Sequence, residues 1–342
     1  MRTNGGIRRG GAWGCFLAAM LACGSAALAG SDYSDKDLSL RFPSAFIRFS
    51  EVSASGGETV ANRFSSALNP ASAGWMELPC KYGLVLAPYY SHTCFDAGTR
   101  LHLFGESLTW ETEKWGTFQP TLSQIRTNRA TTRQGLEFDY SVDIFQLQWG
   151  KRLGDWGLGA RFNYAQAETV YKMGPMRVSK SNAESYRVRL GGLYAPAEKW
   201  LAGIALEYGV AHSRTTRYMG PFTFKDRATS HQFVARPGVS YEYAKYCTVF
   251  ADYHYGAFFH GHKQFHYHRF SAGVEHRLLD FLFLRAGPFV DARGNTGLTC
   301  GATVHFSRWG CVELGYQYDP LPELRPEFGR SHMFQAVLSV RF

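Results

Sequence analysis

The sequence predicts an all-β fold: a transmembrane antiparallel β-barrel of about 14 strands, with 12 as the alternative, and an N-terminal plug segment. Three observations carry this. From about Lys81 onward, apolar and polar residues alternate in long runs, longer than the five or six residues usual for a globular strand. Arg, Glu and Gly recur on the polar side, while Tyr, Trp and Phe bracket the apolar side near strand ends. A belt facing lipid tails needs that arrangement, and a soluble β-sandwich does not. Composition agrees: 45% of the 342 residues are apolar, 15% aromatic and only 19% charged, with 36 glycines. Such a chain is too apolar to be disordered. Its mean hydropathy of −0.24 is too low for a polytopic helical membrane protein.

Residues 1–29 read as a signal peptide. Arg2, Arg8 and Arg9 form a basic start, Ala12 to Ala22 an apolar core, and Ala27-Leu28-Ala29 a small-x-small cleavage site. The apolar run is short and broken by glycine, which argues against a spanning helix. Cys23, after Met20-Leu21-Ala22, offers lipoprotein processing as a second route. Cleavage removes three arginines from a formal net charge of +9. With no basic cluster tied to a nucleic-acid motif, nucleic-acid binding is excluded as an expectation. Five cysteines remain (Cys80, Cys94, Cys247, Cys300, Cys311). An odd number at spacings that match no zinc pattern points to packing residues rather than a disulfide framework.

Residues 30–80 lack the alternation of the rest of the mature chain. Ser53-Ala54-Ser55-Gly56-Gly57 and Ala67-Leu68-Asn69-Pro70-Ala71-Ser72-Ala73-Gly74 are small-residue turn segments. Phe42, Phe46, Ile47, Phe49, Phe64 and Trp75 nevertheless need burial, and the barrel interior is an economical place for them. This segment is the expected plug, and residues 81–342 the barrel.

Strands are expected near 82–92, 97–111, 135–150, 156–171, 184–195, 199–217, 228–243, 246–259, 265–278, 281–292, 297–306, 310–320 and 332–342. A chain that enters and leaves on one side needs an even number. The weak stretch Lys114–Ile125, with Pro120 inside it, supplies the fourteenth. In the run from Gly297, Leu298, Cys300, Ala302, Val304 and Phe306 share one face, and Thr299, Gly301, Thr303 and His305 the other. Short turns at Gly154-Asp155, near 196–198, 243–245 and 307–309, and at Leu279-Asp280 are expected in the periplasm. Longer polar loops near 172–182, 218–227, 259–264 and 320–330, and at Gly294-Asn295, are expected outside the cell. The chain ends on Phe342, in register with Val340, Leu338, Ala336 and Phe334. This resembles the C-terminal strand signal by which outer-membrane barrels are recognised by the barrel assembly machinery, which is therefore an expected partner.

A signal peptide, a small-residue N-terminal region closing on Asn69-Pro70-Ala71, and about fourteen strands ending in Phe resemble the long-chain fatty-acid transporter (FadL-like) outer-membrane barrels. Related barrels of a type IX secretion system share the pattern. The segments Phe270-Ser271-Ala272-Gly273-Val274-Glu275-His276-Arg277 and Phe283-Leu284-Arg285-Ala286-Gly287 are similar to late strands of that group. The resemblance implies a plugged barrel in the outer membrane of a Gram-negative bacterium that passes hydrophobic molecules, with Asn69, Pro70 and Ala71 in the plug.

Inward-facing positions offer Arg161, Arg187, Arg189, Glu207, Arg236, Asp252, Arg269, Glu275, Arg277, Arg285, Asp291, Glu313 and Asp319, among others. These form either a structural ladder of opposite charges or a path for a solute with an anionic head. In the second case Arg269, Arg277 and Arg285, with Glu313 beside them, are the candidates, because guanidinium forks suit carboxylates. His260, His262, His266 and His268 cluster near one turn, where imidazoles could bind zinc or copper. No Cys, Asp or Glu lies among them, so no metal is expected. No nucleophile, base and orienter fall together, and neither catalysis nor a cofactor is expected. The expected function is therefore an outer-membrane channel passing or shuttling hydrophobic small molecules, partnered by outer-membrane lipid. The alternatives are a non-transporting structural or secretion-linked barrel and, unsupported by any motif, an outer-membrane enzyme.

Overall fold

The computed structural model describes residues 59–63, 67–76, 83–127, 130–131, 137–219, 221–261 and 263–342. The expected signal peptide, Cys23 and both domain borders (29/30 and 80/81) lie outside them. The strands are β1 (Leu84–Phe95), β2 (Arg100–Thr112), β3 (Gly116–Thr127), a two-residue β4 (Ala130–Thr131), β5 (Glu137–Leu153), β6 (Trp156–Met173), β7 (Met176–Ala197), β8 (Trp200–Met219), β9 (Phe222–Ala244), β10 (Cys247–His260), β11 (Lys263–Leu279), β12 (Leu282–Asp291), β13 (Thr296–Ser307), β14 (Gly310–Tyr318) and β15 (Ser331–Arg341). All pair antiparallel with their sequence neighbours, except that β3 pairs β5 directly and β4 only caps the end of β5. β1 pairs β15 from Val85↔Arg341 to Phe95↔Ser331. The sheet is thus a closed 14-strand barrel plus one short extra strand. Closure is what hydrocarbon demands, because an open edge would leave rows of unpaired N–H and C=O groups, each costing several kcal/mol.

Alternation sets the two sides of the wall. Leu158, Phe162, Leu190, Ile204, Leu206, Leu298, Leu314 and Phe334 are exposed on the outside. Their strand neighbours Arg161, Arg189, Glu207, Thr299 and Gln335 are buried inside. Trp156 stacks on Tyr194 (centroids 4.3 Å apart) and Trp200 packs on Tyr241 (4.4 Å) at the end with short turns. At the other end Tyr164 meets Tyr186 (5.1 Å). Eight residues separate Trp156 from Tyr164, which at ~3.4 Å per residue and a ~40° tilt gives an apolar band about 20 Å tall. That height suits a hydrocarbon belt.

Pro88, Pro120 and Pro237 sit inside strands, and each opens the ladder on one side only. The gaps fall in β1–β15 between Leu86↔Val340 and Tyr89↔Val337, in β2–β3 between Ser107↔Thr121 and Trp110↔Phe118, and in β9–β10 between Asp252↔Gly238 and Tyr255↔Ala235. Across the other side the pairing runs through: Pro88↔Glu106, Pro120↔Leu147 and Ile204↔Pro237. A missing N–H removes a bond to one neighbour and leaves the second ladder whole. The weak stretch around Pro120 is therefore a wall strand.

Three expected loops are mostly not loops. In 259–264, Phe259↔Gln264 and His260↔Lys263 are paired. Residues 172–182 and 218–227 are mostly paired strand, since β6–β7 continues to Met173↔Met176 and β8–β9 to Met219↔Phe222. Their polarity marks where the chain leaves hydrocarbon, not where it stops pairing. The segment 319–330 departs from the wall, with a 3-10 turn at Pro322–Leu324 and one helical turn at Arg325–Phe328. Cys94, Cys247, Cys300 and Cys311 are free thiols, and Cys80 lies outside the described residues.

Candidate functional site: the barrel lumen

The lumen is built in three parts. Nearest the short-turn end, residues 59–63 and 67–76 lie inside the barrel as a hatch. Asn69 caps the 3-10 turn Pro70–Gly74, with Pro at its first position, a favourable start for a helical turn. The Asn69 side chain is fully buried and makes three hydrogen bonds. Its Oδ1 accepts from Ala71 N (3.1 Å), and its Nδ2 donates to Val60 O (2.9 Å) and to Gly192 O of β7 (3.1 Å).

The wall under the hatch is made of glycine. A Cβ on Gly159 would lie 2.3 Å from Pro70 C, and one on Gly191 2.1 Å from Asn69 Oδ1. Gly150 and Gly203 likewise leave no room for a methyl against Pro70 O (2.5 Å) and Val60 O (2.6 Å). These glycines come from β5, β6, β7 and β8 and form one shallow seat. Their signal in the sequence was glycine recurring on the inward face of successive strands; it was legible as polar alternation but not as a docking surface.

Above the hatch is a layer of buried charge. Arg161, Arg189 and Glu207 stand opposite one another on β6, β7 and β8. Glu207 accepts from Arg189 Nε (2.9 Å) and Nη2 (2.5 Å) and from Gln232 Nε2 (2.8 Å), and Arg187 Nη1 stands 3.7 Å away. Arg161 donates through Nε to Gln148 Oε1 (2.6 Å). Both arginines also reach down: Arg161 Nη1 donates to Ala67 O (2.8 Å) and Arg189 Nη1 to Leu68 O (3.1 Å). Opposite them Asp252 Oδ1 accepts from Val60 N (2.9 Å) and Thr59 Oγ1 (3.3 Å), and Ser240 Oγ donates to Ala61 O (2.8 Å). Charge-assisted bonds of this kind are among the stronger hydrogen bonds. Part of the layer is thus a ladder, and part clamps the hatch backbone, a role that alternation alone did not reveal.

On its β1–β5 side the long-hairpin half of the lumen is apolar, while Gln232, His254, Arg269 and Asp291 are buried on the β9–β12 side. Phe95, Leu101, Leu103, Ile125, Phe138, Val142 and Ile144 point inward beneath Leu321, Leu324 and Phe328 of the 319–330 segment, and all are buried. Phe328 sits 5.4 Å from both Phe95 and Phe138. The segment is latched by Asp319, which is fully buried and accepts from Ser331 N and Oγ (3.3 Å each) and from Arg325. Arg325 Nη1 also donates to Asn295 Oδ1 (2.6 Å). Beside the hatch, toward β10–β15, lies a cavity of about 550 Å³ whose lining includes Trp75, Phe250, Phe283, Arg285, His305 and Glu313.

The expected path residues do not form one site. Arg285 bonds Glu275 and donates to Thr303 Oγ1 (2.5 Å), and with Glu313 it lines that cavity. Arg277 stands at the short-turn rim, paired with Asp280 (2.6 Å) and 4.8 Å from the Tyr246 ring. Arg269 lies well up the same strand, its guanidinium 3.6 Å over the Phe289 ring. His266 and His268 face outward, hydrogen-bonded to Tyr255 OH (3.0 Å) and Tyr253 OH (2.6 Å). His260 alternates onto the other face of its strand, and His262 lies outside the described residues. Among the described residues no three His, Cys, Asp or Glu side chains converge as a metal site.

The closed antiparallel barrel is a fold that this chain shares with solved hydrocarbon channels. No protein-family model and no curated protein matches the sequence. Among solved structures the chain is similar to the CymD monoaromatic hydrocarbon channel, with TM-score 0.57 and 13% identity over 84% of this chain and 96% of that one. It is also similar to the toluene transporter TodX of Pseudomonas putida (0.53, 12%, covering 85% and 96%) and to a FadL homologue of Pseudomonas aeruginosa (0.51, 12%, covering 80% and 93%).

Proposed function

We propose that this protein is an outer-membrane channel that admits small hydrophobic molecules, with its long hairpins outside the cell and its short turns in the periplasm. The observation that carries the reading is the apolar β1–β5 side of the lumen under the 319–330 segment. An interior serving only to hold charges in register, or to conduct water and ions, has no use for a layer of Phe, Leu and Ile facing the axis. It suits a solute that prefers that layer to water. The architecture shared with hydrocarbon channels supports the same reading.

In this scheme the solute enters when the Asp319–Arg325 latch releases the segment and Phe328 leaves its place between Phe95 and Phe138. It then passes the charged layer into the cavity beside Arg285 and Glu313. Displacement of the hatch from its glycine seat opens the way to the periplasm. A second reading, a non-transporting structural barrel, draws support from the same chamber, because its own side chains fill it.

Uptake into lipid vesicles decides between them, with a fluorescent fatty acid and a monoaromatic hydrocarbon as probes. The intact protein is expected to speed uptake of at least one probe over empty vesicles, and Phe328→Ala to speed it further. Deletion of residues 30–75 is expected to admit polar solutes as well. Uptake equal to empty vesicles for both the intact protein and Phe328→Ala would overturn the transport reading and leave the structural one.

A further inference from the structure

Strands β6–β9 continue beyond the long-hairpin girdle as a paired sheet, and the two faces of that extension differ in chemistry. The face that continues the lumen wall carries the small residues Ser181, Ala211, Ser213, Thr215, Ala228 and Ser230, with Asp226 opposite Thr215 and Arg217 further out. The face that continues the lipid belt carries Lys180, His212, Arg214, Lys225 and Arg227. Arg214 and Arg227 are direct cross-strand partners. Lys225 and Lys180 flank them, each opposite Thr216 on one side of β8.

The acids of this face are Glu168, which is paired with Lys180 at 2.7 Å, and Glu184, which stands opposite His212. Arg214, Lys225 and Arg227 are exposed and take part in none of the ion pairs found among the described residues. Like charges directly opposite across an antiparallel pair repel. An anion shared between the two guanidinium forks turns that repulsion into a bridge.

Height and side identify the anion's carrier. Arg214 lies six residues beyond Tyr208, which is hydrogen-bonded to His231 (2.9 Å) in the girdle. At ~3.4 Å per residue and a ~40° tilt that is about 15 Å further out on β8, and Arg227, four residues beyond His231, is about 10 Å further out on β9. The headgroup zone of a phospholipid leaflet is only about 5–8 Å deep. The patch therefore stands above ordinary headgroups, yet on the side that faces the membrane rather than the mouth. We propose that Arg214 and Arg227 together grip a phosphate on the sugars of an outer-leaflet glycolipid, with Lys225 holding a neighbouring one. The proposal rests on the barrel standing in the outer membrane with its long hairpins outward. It does not depend on any transport activity.

The test uses the full-length barrel in nanodiscs of uncharged phospholipid, titrated with lipopolysaccharide carrying a phosphorylated inner core. The same glycolipid after chemical dephosphorylation and inorganic phosphate alone serve as separate probes. Binding is expected to weaken with salt. It should fall about tenfold or more in R214A/K225A/R227A, and to an intermediate level in R214K/R227K, which keeps the charge but loses the forks. Dephosphorylated glycolipid is expected to bind wild type no better than the triple variant. Retarded mobility on unboiled gels confirms that each variant is folded. Equal binding of the phosphorylated glycolipid by wild type and the triple variant overturns the proposal. Displacement by inorganic phosphate at low millimolar concentration also overturns it, since the site would then belong to a free anion. Solute uptake in glycolipid-free vesicles should be the same for the triple variant and wild type, so either reading can fail without the other.

Discussion

Replacing Gly191 with alanine tests the hatch seat most directly. The new methyl would stand 2.1 Å from Asn69 Oδ1 and 2.8 and 2.9 Å from the Pro70 ring carbons Cδ and Cγ. Ordinary contact begins near 3.4 Å, so the start of the 3-10 turn must lift by about 1 Å. That displacement carries the Asn69 bonds to Val60 O and Gly192 O, now 2.9 and 3.1 Å, beyond hydrogen-bonding range. Overpacking costs about 1–3 kcal/mol where the surroundings can yield, and each lost bond about 1 kcal/mol more. Because relief of one strain spares part of the other, the sum is about 2–4 kcal/mol against the seated hatch. That is about a 30- to 1,000-fold shift toward the displaced state.

Single-channel conductance in planar bilayers reads the shift as more frequent or longer openings, and limited proteolysis reads it as faster cleavage between residues 59 and 76. Gly192→Ala is the matched control. Its methyl points to the lipid side and meets only Ile204 Cγ2 at 3.5 Å, so it should behave as wild type. Equal conductance and equal proteolysis for the two variants would refute the seat and, with it, the hatch as a gate.

The wall and the hatch give two further expected outcomes. Asn69→Ala leaves Val60 O and Gly192 O without their side-chain donor in a buried place. It should loosen the hatch by about 2–3 kcal/mol, and it should add little to Gly191→Ala, since both break the same bonds. Leu190 is 58% exposed and lies midway between the girdle residues Tyr186 and Tyr194. Leu190→Arg should therefore cost about 2–4 kcal/mol in bilayer folding. Thr216→Arg, on the lipid-side face of β8 beyond the girdle, should cost far less. Equal folding yields for those two substitutions in a urea-to-vesicle titration would place Leu190 outside hydrocarbon.

How much of the molecule is legible in the sequence differs from part to part. The wall is nearly all visible. The thirteen strand positions expected from alternation match wall strands, as does Lys114–Ile125, which is expected only because the number must be even, and the sides assigned in the run from Gly297 are the observed ones. The hatch is visible as a departure from alternation, with Asn69-Pro70-Ala71 marked out. Its seat is not, because Gly150, Gly159, Gly191 and Gly203 become one surface only when four strands lie side by side. The candidate arginines show the same limit. Arg269, Arg277 and Arg285 look equivalent as inward positions. Yet one stacks on Phe289, one pairs at the rim, and one shares the cavity with Glu275.

The extended hairpins and the apolar chamber escape a reading of the sequence for a related reason. Ser, Thr, Lys and Arg at 172–182 and 218–227 say only that water is near, and pairing there depends on the partner strand. Phe95, Phe138 and Phe328 are far apart along the chain and meet only because the barrel closes and the 319–330 segment folds into its mouth.

What the sequence determined by itself was the closed wall and which side of it each residue faces. A strand's two-residue period is fixed by its own backbone, and lipid outside with polar groups inside selects one phase of that period. What only the tertiary structure decided was who meets whom across the lumen. Those encounters depend on the register and curvature of the whole sheet, which no single strand encodes.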